Sequence, residues 1–142
     1  MLFGRKKRRI EKLLVVEDEP LVAFDTEHFL LDSGFQIVAT TDRVADAVEI
    51  IASGKAIDLV LVDVALADGN GMDVARAAFA RAIPALYVTG NCPAEAQAFA
   101  AGCLAKPYQQ RDLLLAIDAI EAAQDGRAPR RMPAGLRLFE RA

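Results

Sequence analysis

Short apolar segments alternate strictly with helix-like segments along the chain, and this alternation constrains the fold more than any other feature. Five apolar runs of strand length are each followed by a longer periodic or alanine-rich segment typical of a helix. The predicted strands are Leu13–Val16, Phe35–Thr40, Ile57–Val62, Ala85–Val88 and Cys103–Ala105. Such alternation predicts right-handed crossovers and a parallel sheet that is covered by helices on both faces.

Proline and glycine residues bound several of the helical segments. Pro20 suits the first turn of the first helix, and Gly34 and Gly54 follow the ends of the first two helices. The predicted helices are Pro20–Ser33, Arg43–Ser53, Gly71–Arg81, Pro93–Ala101 and Gln109–Ala123. Because the strands are continuously apolar, we predict an α/β fold with a doubly wound five-stranded parallel sheet of flavodoxin-like order 2-1-3-4-5.

Charge divides the 142-residue chain into an acidic middle and two basic ends. Residues 1–12 carry a net charge of +5 and residues 125–142 carry +3; the whole chain carries −3, so residues 13–124 hold −11. We expect one domain over 13–124, a basic N-terminal tail, and a C-terminal tail rich in Arg and Pro with a docked segment around Leu136–Phe139. An acidic domain disfavours non-specific binding to nucleic acid.

The sequence also bears on location and on modules that would act with this domain. No apolar run approaches the roughly 18 residues of a membrane span, and no signal-peptide pattern is present, so we expect a cytoplasmic protein. The residues after 124 are too few for a DNA-binding module, so we expect the output to lie in other proteins. Cys92 and Cys103 fit no zinc or CxxC spacing and are expected to be small apolar residues.

Polar residues follow four of the five predicted strands, at the end of the sheet where ligands bind in this architecture. Glu17 and Asp18 follow the first strand, Asp63 the third, Thr89 the fourth and Lys106 the fifth. Three converging carboxylates repel one another, and a divalent cation relieves that cost. Hard oxygen ligands suit Mg2+, so the sequence predicts a magnesium site here.

The same residues suit phosphoryl transfer. Asp63 is the natural nucleophile, since carboxylates form aspartyl-phosphate intermediates. Lys106 supplies a positive charge and Thr89 a hydroxyl donor for the phosphoryl oxygens. Taken singly, each residue also has a purely structural explanation, as a turn residue, a helix start or an extended residue before proline. Their conjunction in one crevice favours a site.

At these residues the sequence resembles the receiver domains of bacterial two-component response regulators, over about residues 13–123. VVEDEP resembles the family's acidic pair, which implies that Glu17 and Asp18 bind the metal. LVLVDVALADGNGMDV resembles the phosphoacceptor segment, which implies phosphorylation of Asp63. In the family a backbone carbonyl two residues later, here that of Ala65, completes the protein's metal ligands.

VTG and AKPY resemble the family's remaining motifs and imply that Thr89 is the switch hydroxyl and Lys106 the phosphate-contacting lysine. The resemblance implies a single-domain response regulator that takes its phosphoryl group from a sensor histidine kinase in a Mg2+-dependent reaction. Such a protein assists its own phosphorylation and dephosphorylation without being an enzyme for other substrates. It acts through protein contacts, near residues 93–116, or passes the phosphoryl group to a histidine phosphotransferase or another protein.

Three departures from the receiver pattern stand out. Many receivers carry a proline where Ala67 or Asp68 stands, so the loop after Asp63 is expected to be less rigid. Cys103 occupies the position of the usual switch aromatic residue, so the usual coupling cannot operate unchanged. PALYVTGNC partly resembles the FATGUY subclass of alphaproteobacterial receivers, which implies HWE-type or related kinases and a role in stress signalling.

Several other functions remain open from the sequence. A phosphohydrolase that forms an aspartyl phosphate usually has a second acid two residues after the nucleophile, where this chain has Ala65. A nucleotide or flavin site of similar topology needs glycines in the first turn, whereas VEDEP is acidic and has none. A protein-binding adaptor that works without phosphorylation, or a partner of anionic molecules through the basic tails, is also compatible with the sequence.

Overall fold

The computed structural model of the chain describes residues 8–139 and arranges them as a six-stranded sheet between two layers of helices. The strands are β1 (Lys12–Val16), β2 (Gln36–Thr41), β3 (Leu59–Val62), β4 (Ala85–Thr89), β5 (Gly102–Ala105) and β6 (Leu136–Leu138). The helices are α1 (Pro20–Asp32), α2 (Val44–Ala52), α3 (Gly71–Ala80) and α4 (Gln110–Gln124). A 3-10 helix, Ala94–Ala98, and a small antiparallel hairpin, Ala65–Leu66 with Gly69–Asn70, complete the elements.

The first five strands are parallel and lie in the order β2-β1-β3-β4-β5, which confirms the predicted doubly wound α/β fold. β1 lies between β2 and β3, with Val16 opposite Val62 at its carboxyl end. This pairing places the residues that follow β1 and β3 next to each other. The strand order reverses at this position, so the topology itself creates a crevice there.

Alternate residues of each strand pack into two separate apolar cores, because side chains on a strand point to opposite faces. Leu13 and Val15 face the core formed with α1 and α4, whereas Leu14 and Val16 face the core formed with α2 and α3. Burial on both faces explains why these strands are continuously apolar. Among residues 8–139, no helix has both the length and the apolar character needed to cross a membrane.

β6 adds an antiparallel strand beside β5 and confirms the predicted docked segment of the C-terminal region. Leu136 is buried, and Gly102 allows the approach, because a Cβ at that glycine would lie 2.7 Å from the carbonyl oxygen of Arg137. The other end of the described chain also packs on the domain, since the backbone N–H of Ile10 donates to Glu121 at 2.8 Å. Residues 1–7 and 140–142 of the expected basic tails lie outside the described residues.

The helix predicted over Pro93–Ala101 is wrong in type and in length. The structure has a five-residue 3-10 helix there, Ala94–Ala98, so four α-helices accompany the sheet in the described part of the chain. This segment buries only Ala96 within its length. Short helices depend on tertiary packing for their stability, and alanine side chains provide little apolar area, so a tighter and shorter turn forms.

Candidate functional site

The candidate site is built on the adjacent carboxyl ends of β1 and β3. The backbone N–H of Asp63 donates to the carbonyl oxygen of Val16 at 3.0 Å, so the pairing of β1 with β3 continues for one residue beyond the end of β3. On the other side of β1, the N–H of Glu17 donates to the carbonyl oxygen of Thr41 at 2.9 Å. These backbone bonds hold both acidic residues at the rim of a buried scaffold.

Glu17, Asp18 and Asp63 form an acidic cluster at this rim. One carboxylate oxygen from each of them lies within 4.8 Å of the others, so the convergence predicted from the strand ends is confirmed. The Glu17 side chain is 7% exposed and that of Asp63 12% exposed. Little water therefore screens the repulsion between these carboxylates, and the cluster requires positive charge nearby.

Lys106 provides positive charge within the cluster. Its ammonium group donates to Oε1 of Glu17 at 2.9 Å and to Oδ2 of Asp63 at 3.0 Å, and it lies 3.9 Å from a carboxylate oxygen of Glu19. The backbone N–H of Lys106 donates to the carbonyl oxygen of Thr89 at 2.8 Å, so β4 and β5 place the lysine jointly. Lys106 therefore bridges Glu17, which follows β1, and Asp63, which follows β3.

Burial and pairing act in opposite directions on the pKa values of this cluster. Burial raises the pKa of Glu17 above its usual 4.5, and the hydrogen bond from Lys106 offsets that rise only in part. For Lys106, burial lowers the pKa, but the bonds to Glu17 and Asp63 outweigh it and raise the pKa above 10.5. The ammonium group is therefore charged at neutral pH, where it can hold an anionic group as well as the acids.

The loop after Asp63 turns tightly around that residue. The N–H of Ala65 donates to Oδ1 of Asp63 at 3.2 Å, and the N–H of Gly71 donates to the carbonyl oxygen of Val64 at 2.6 Å. A Cβ at Gly71 would overlap the carbonyl oxygen of Asp63, so only glycine permits this approach. The start of α3 therefore supports the backbone of Asp63 directly.

Asp68 ties the same loop to α2, a role that the sequence did not reveal. Its carboxylate accepts the backbone N–H groups of Val44 at 2.5 Å and Ala45 at 3.1 Å, and these bonds lower its pKa below 3.8. The residue before α2 is Arg43, which supplies no capping side chain of its own. That missing cap is the only sequence signal for the contact. A hydrogen-bonded aspartate thus restrains the loop in place of a proline.

Thr89 and Cys103 occupy different settings. Thr89 ends β4 at the rim of the site, where its side chain is buried and its hydroxyl oxygen accepts the N–H of Asn91 at 3.5 Å. Cys103 lies inside the sheet, opposite Tyr87 in register, and its side chain belongs to the core beneath α2 and α3. The structure therefore places Thr89 at the end of β4, in backbone contact with Lys106, and Cys103 in the apolar interior.

The residues present fit a magnesium ion. The cluster offers three carboxylates, which are hard oxygen ligands, and its net negative charge exceeds what Lys106 neutralises. Ala65 lies in the adjoining hairpin, opposite Asn70, and its carbonyl as a further ligand stays a prediction. The roles of the individual residues in phosphoryl transfer stay predictions as well.

Comparison with known proteins identifies one family over most of the chain. The sequence model described as the response regulator receiver domain matches residues 13–118. The phyllosphere-induced regulator PhyR of Methylorubrum extorquens is 32% identical over 108 residues, which are 69% of this chain and 39% of PhyR. The sensory transduction protein LytR of Staphylococcus haemolyticus is 37% identical over 67 residues. The chain thus spans well under half of these curated relatives.

Solved structures show the same architecture. A response regulator receiver protein from Sinorhizobium medicae superposes with a TM-score of 0.70 at 28% identity, covering 82% of this chain and 98% of that protein. The receiver domain of the sensor histidine kinase PA1611 from Pseudomonas aeruginosa, solved with a magnesium ion coordinated in its active-site cleft, has a TM-score of 0.66. At 22% identity, with 76% and 94% of the two chains covered, the latter likeness shows the fold alone.

Proposed function

Because the chain belongs to the response regulator receiver domain family, we propose that it accepts a phosphoryl group on Asp63 and signals through the resulting change in protein contacts. One observation carries the assignment of the residue. Lys106 and the acidic cluster converge on the Asp63 carboxylate, at the rim of a sheet that excludes most water from it. Nucleophile, positive charge and metal ligands then occupy one site.

In the proposed reaction an Asp63 carboxylate oxygen attacks the phosphorus of a phosphorylated histidine. The new O–P bond forms as the N–P bond of the donor breaks, and the departing imidazole takes up a proton from solvent. Lys106 moves one of its hydrogen bonds from Asp63 to a phosphoryl oxygen, and Thr89 turns its hydroxyl to donate to another. This chemistry needs positioning and charge neutralisation more than covalent help from the protein.

Glu17, Asp18 and Asp63 would hold Mg2+, with the carbonyl of Ala65 as the further protein ligand. The bound ion supplies charge neutralisation between the carboxylates and the phosphoryl oxygens. The magnesium ion in the cleft of the PA1611 receiver supports this proposal. The methyl side chain of Ala65 offers no second carboxylate two residues after Asp63, which disfavours turnover of unrelated phosphoesters.

We expect the phosphoryl donor to be a sensor histidine kinase that docks beside α1. A groove of about 500 Å³ runs between α1 and the segment after β5, and Glu19 and Lys106 of the site line it together with Phe29 and Tyr108. α1 also exposes large apolar side chains, Leu21 at 79% and Phe24 at 58%. An apolar helix of the kinase could bury this surface while presenting its histidine to Asp63.

The FATGUY subclass, with its HWE-type kinases and its role in stress signalling, remains part of the proposal. Tyr87, Thr89 and Gly90 match that motif, and the absence of an aromatic residue at Cys103 agrees with it. The 32% identity to PhyR, a regulator from Methylorubrum extorquens, is compatible with a place near such receivers. Residues 93–116 are the proposed surface for contacts with downstream partners.

Intact mass spectrometry with acetyl phosphate as the donor tests the proposed function. We expect wild type with Mg2+ to gain the mass of one phosphoryl group, and Asp63→Asn to gain none. Asp73→Asn is the matched control, because Asp73 is an exposed aspartate on α3 that pairs with Arg76 away from the cluster. This variant should be phosphorylated as wild type is, and removal of Mg2+ by EDTA should prevent the gain in both.

Three results would contradict the proposed function. A phosphoryl group retained by Asp63→Asn would place the acceptor elsewhere in the chain. Wild type that gains no mass from acetyl phosphate or from a phosphorylated histidine kinase would instead favour an adaptor that works without phosphorylation. Steady release of phosphate from p-nitrophenyl phosphate would favour a phosphohydrolase.

A further inference from the structure

One face of α1 carries a line of large exposed side chains. Among residues 8–139, five large apolar side chains are exposed, and three of them, Leu21, Phe24 and Leu31, lie on this helix. His28 is exposed between them and stacks on Phe24, with ring centroids 4.0 Å apart. The successive spacings of three, four and three residues place all four on one helix face, like the a and d positions of a coiled coil. We call these four residues the α1 seam.

The α1 seam lies on a different side of the helix from the groove that leads to the acidic cluster. The residues of α1 that line this groove are Val22, Asp25, Thr26 and Phe29. At about 3.6 residues per turn, Phe29 and Leu31 point to nearly opposite sides of α1, and Leu21 borders both surfaces. A kinase docked in the groove therefore leaves His28 and Leu31 accessible to another partner.

Acidic side chains flank the seam on both sides. Asp25 and Asp32 lie on one side and Glu27 on the other, at the positions that set the choice of partner in coiled coils. The carboxylate of Glu27 accepts the hydroxyl of Thr40, whereas Asp25 and Asp32 make no hydrogen bond or ion pair within the part of the chain that the structure describes. α1 itself contains no lysine or arginine. The seam is therefore an apolar line between uncompensated negative charges.

We propose that the α1 seam binds an amphipathic helix of a partner protein, with lysine or arginine on both sides of its apolar face. Such a helix would bury the apolar side chains of the seam and place cations opposite the flanking acids. From Leu21 to Leu31 the seam is about 15 Å long, so a partner helix of about three turns covers it. Binding does not require a phosphoryl group on Asp63, so this inference stands independently of the proposed function.

The same charges disfavour a second copy of the chain as the occupant. In a symmetric pair of α1 helices, parallel or antiparallel, the flanking acids of one copy meet the flanking acids of the other. Like charges at neighbouring positions are destabilising, and α1 has no cation of its own to relieve them. The seam is therefore better suited to a basic helix than to itself.

Fluorescence anisotropy of a labelled model helix with the full chain tests the proposal, in EDTA and without a phosphoryl donor. The probe is a peptide of three heptads with leucine at positions a and d and lysine at positions e and g. One comparison peptide has glutamate at e and g, and the other has the lysine sequence shuffled so that its leucines form no line. We expect the lysine peptide to bind wild type roughly tenfold or more tightly than either.

Substitutions in the seam test where the peptide binds. Phe24→Ser and Leu31→Ser change exposed side chains, so both variants should unfold in urea close to wild type, and both should bind the lysine peptide roughly tenfold more weakly. Met132→Ser is the matched control, because Met132 is 45% exposed, as against 46% for Leu31, but lies outside α1. This variant should bind the peptide as wild type does.

Substitutions of the flanking acids test the charge of the partner. Asp25→Asn combined with Asp32→Asn should weaken binding of the lysine peptide and reduce its dependence on salt. Asp46→Asn combined with Glu49→Gln is the matched control, since it removes the same charge from exposed positions on α2. An equal loss of affinity in the two double variants would show general attraction to an acidic domain and would overturn the proposal.

Other results would overturn it as well. These are no binding of the lysine peptide, equal binding of the three peptides, or unchanged binding by Leu31→Ser. A dimer in sedimentation equilibrium that Leu31→Ser dissociates would assign the seam to a second copy instead. Failure of the seam and failure of the proposed function are distinguishable: wild type that binds the peptide but gains no phosphoryl group leaves the seam standing, and the converse overturns only the seam.

Discussion

At the scale of single residues, Lys106 and Glu17 show how the site balances charge against burial. Burial of Glu17 disfavours its ionised form, and the ammonium group of Lys106 recovers only part of that cost. A raised pKa in the folded state means that the unfolded chain releases this proton at a lower pH than the folded chain does. Glu17 therefore lowers the stability of the fold as the pH rises from about 4.5 through its folded pKa.

Replacing Glu17 by glutamine should remove this pH dependence. In EDTA, we expect the free energy of unfolding of Glu17→Gln, relative to that of wild type, to increase as the pH rises through that window. The amide side chain has nearly the same shape and carries no charge to bury. Urea unfolding at a series of pH values measures the difference. A difference that stays constant or decreases with pH would show that the ionised carboxylate is not destabilising.

Magnesium should stabilise the protein through the same residues. At ten times its dissociation constant, an ion that binds only the folded state adds about 1.4 kcal/mol, which corresponds to a rise in Tm of about 5 °C for a chain of this size. Asp18→Asn should lose most of this rise, while Asp73→Asn should keep it. Thermal unfolding in EDTA and in Mg2+ provides the measurement, and an equal rise in both variants would place the ion elsewhere.

At the scale of elements, the loop between β3 and α3 is held at both ends. Gly71 allows α3 to begin directly against the carbonyl of Asp63, and Asp68 binds the first N–H groups of α2. The sequence suggested a less rigid loop because the usual proline is absent. The structure replaces that restraint with hydrogen bonds, which a local pattern could not reveal because α2 lies more than 20 residues earlier in the chain.

Gly71→Ala should weaken the packing of the start of α3 against the backbone of Asp63. The added methyl group would overlap a backbone oxygen, which cannot turn away as a side chain can, so we expect a loss of about 1–3 kcal/mol in unfolding free energy. We also expect slower phosphorylation of Asp63 by acetyl phosphate. Gly69→Ala is the matched control in the same loop, since its Cβ would lie 3.5 Å from the Val44 side chain, an ordinary contact. Equal stability and equal rates in the two variants would contradict the close approach.

At the scale of the whole molecule, both ends of the described chain are part of the folded unit. Arg9 and Ile10 donate their backbone N–H groups to Glu121 on α4, and β6 extends the sheet beside β5. The acidic cluster lies at the carboxyl ends of the parallel strands. The cavity bordered by Pro84 and Leu138 lies at the other end of the sheet. The C-terminal strand β6 therefore extends the sheet beside β5.

Leu136→Ala tests the contribution of β6 to stability. Leu136 is 6% exposed and packs into the core with α1 and α4, so its truncation should cost about 2–3 kcal/mol in urea unfolding. Met132, 45% exposed in the same C-terminal region, is the matched control, and Met132→Ala should change stability by less than about 0.5 kcal/mol. Similar losses in the two variants would indicate that β6 does not stabilise the fold.

The sequence by itself determined the five parallel strands, their order and the residues that follow their carboxyl ends. The strands follow from the apolar runs, and their arrangement follows from the alternation of strands with helices, because such connections are right-handed. The predicted and observed boundaries differ by two residues or fewer for most elements. The residues after Pro93 do not form the predicted α-helix, because their small side chains bury too little apolar area to stabilise one.

Only the tertiary structure decided how the side chains at the strand ends contact one another. The bridge from Lys106 to Glu17 and Asp63 and the cap from Asp68 to α2 each join residues from separate elements. Such contacts depend on strand register, loop path and the space left by neighbouring side chains. No local pattern in the sequence encodes those quantities, because they arise when the two layers of helices close on the sheet.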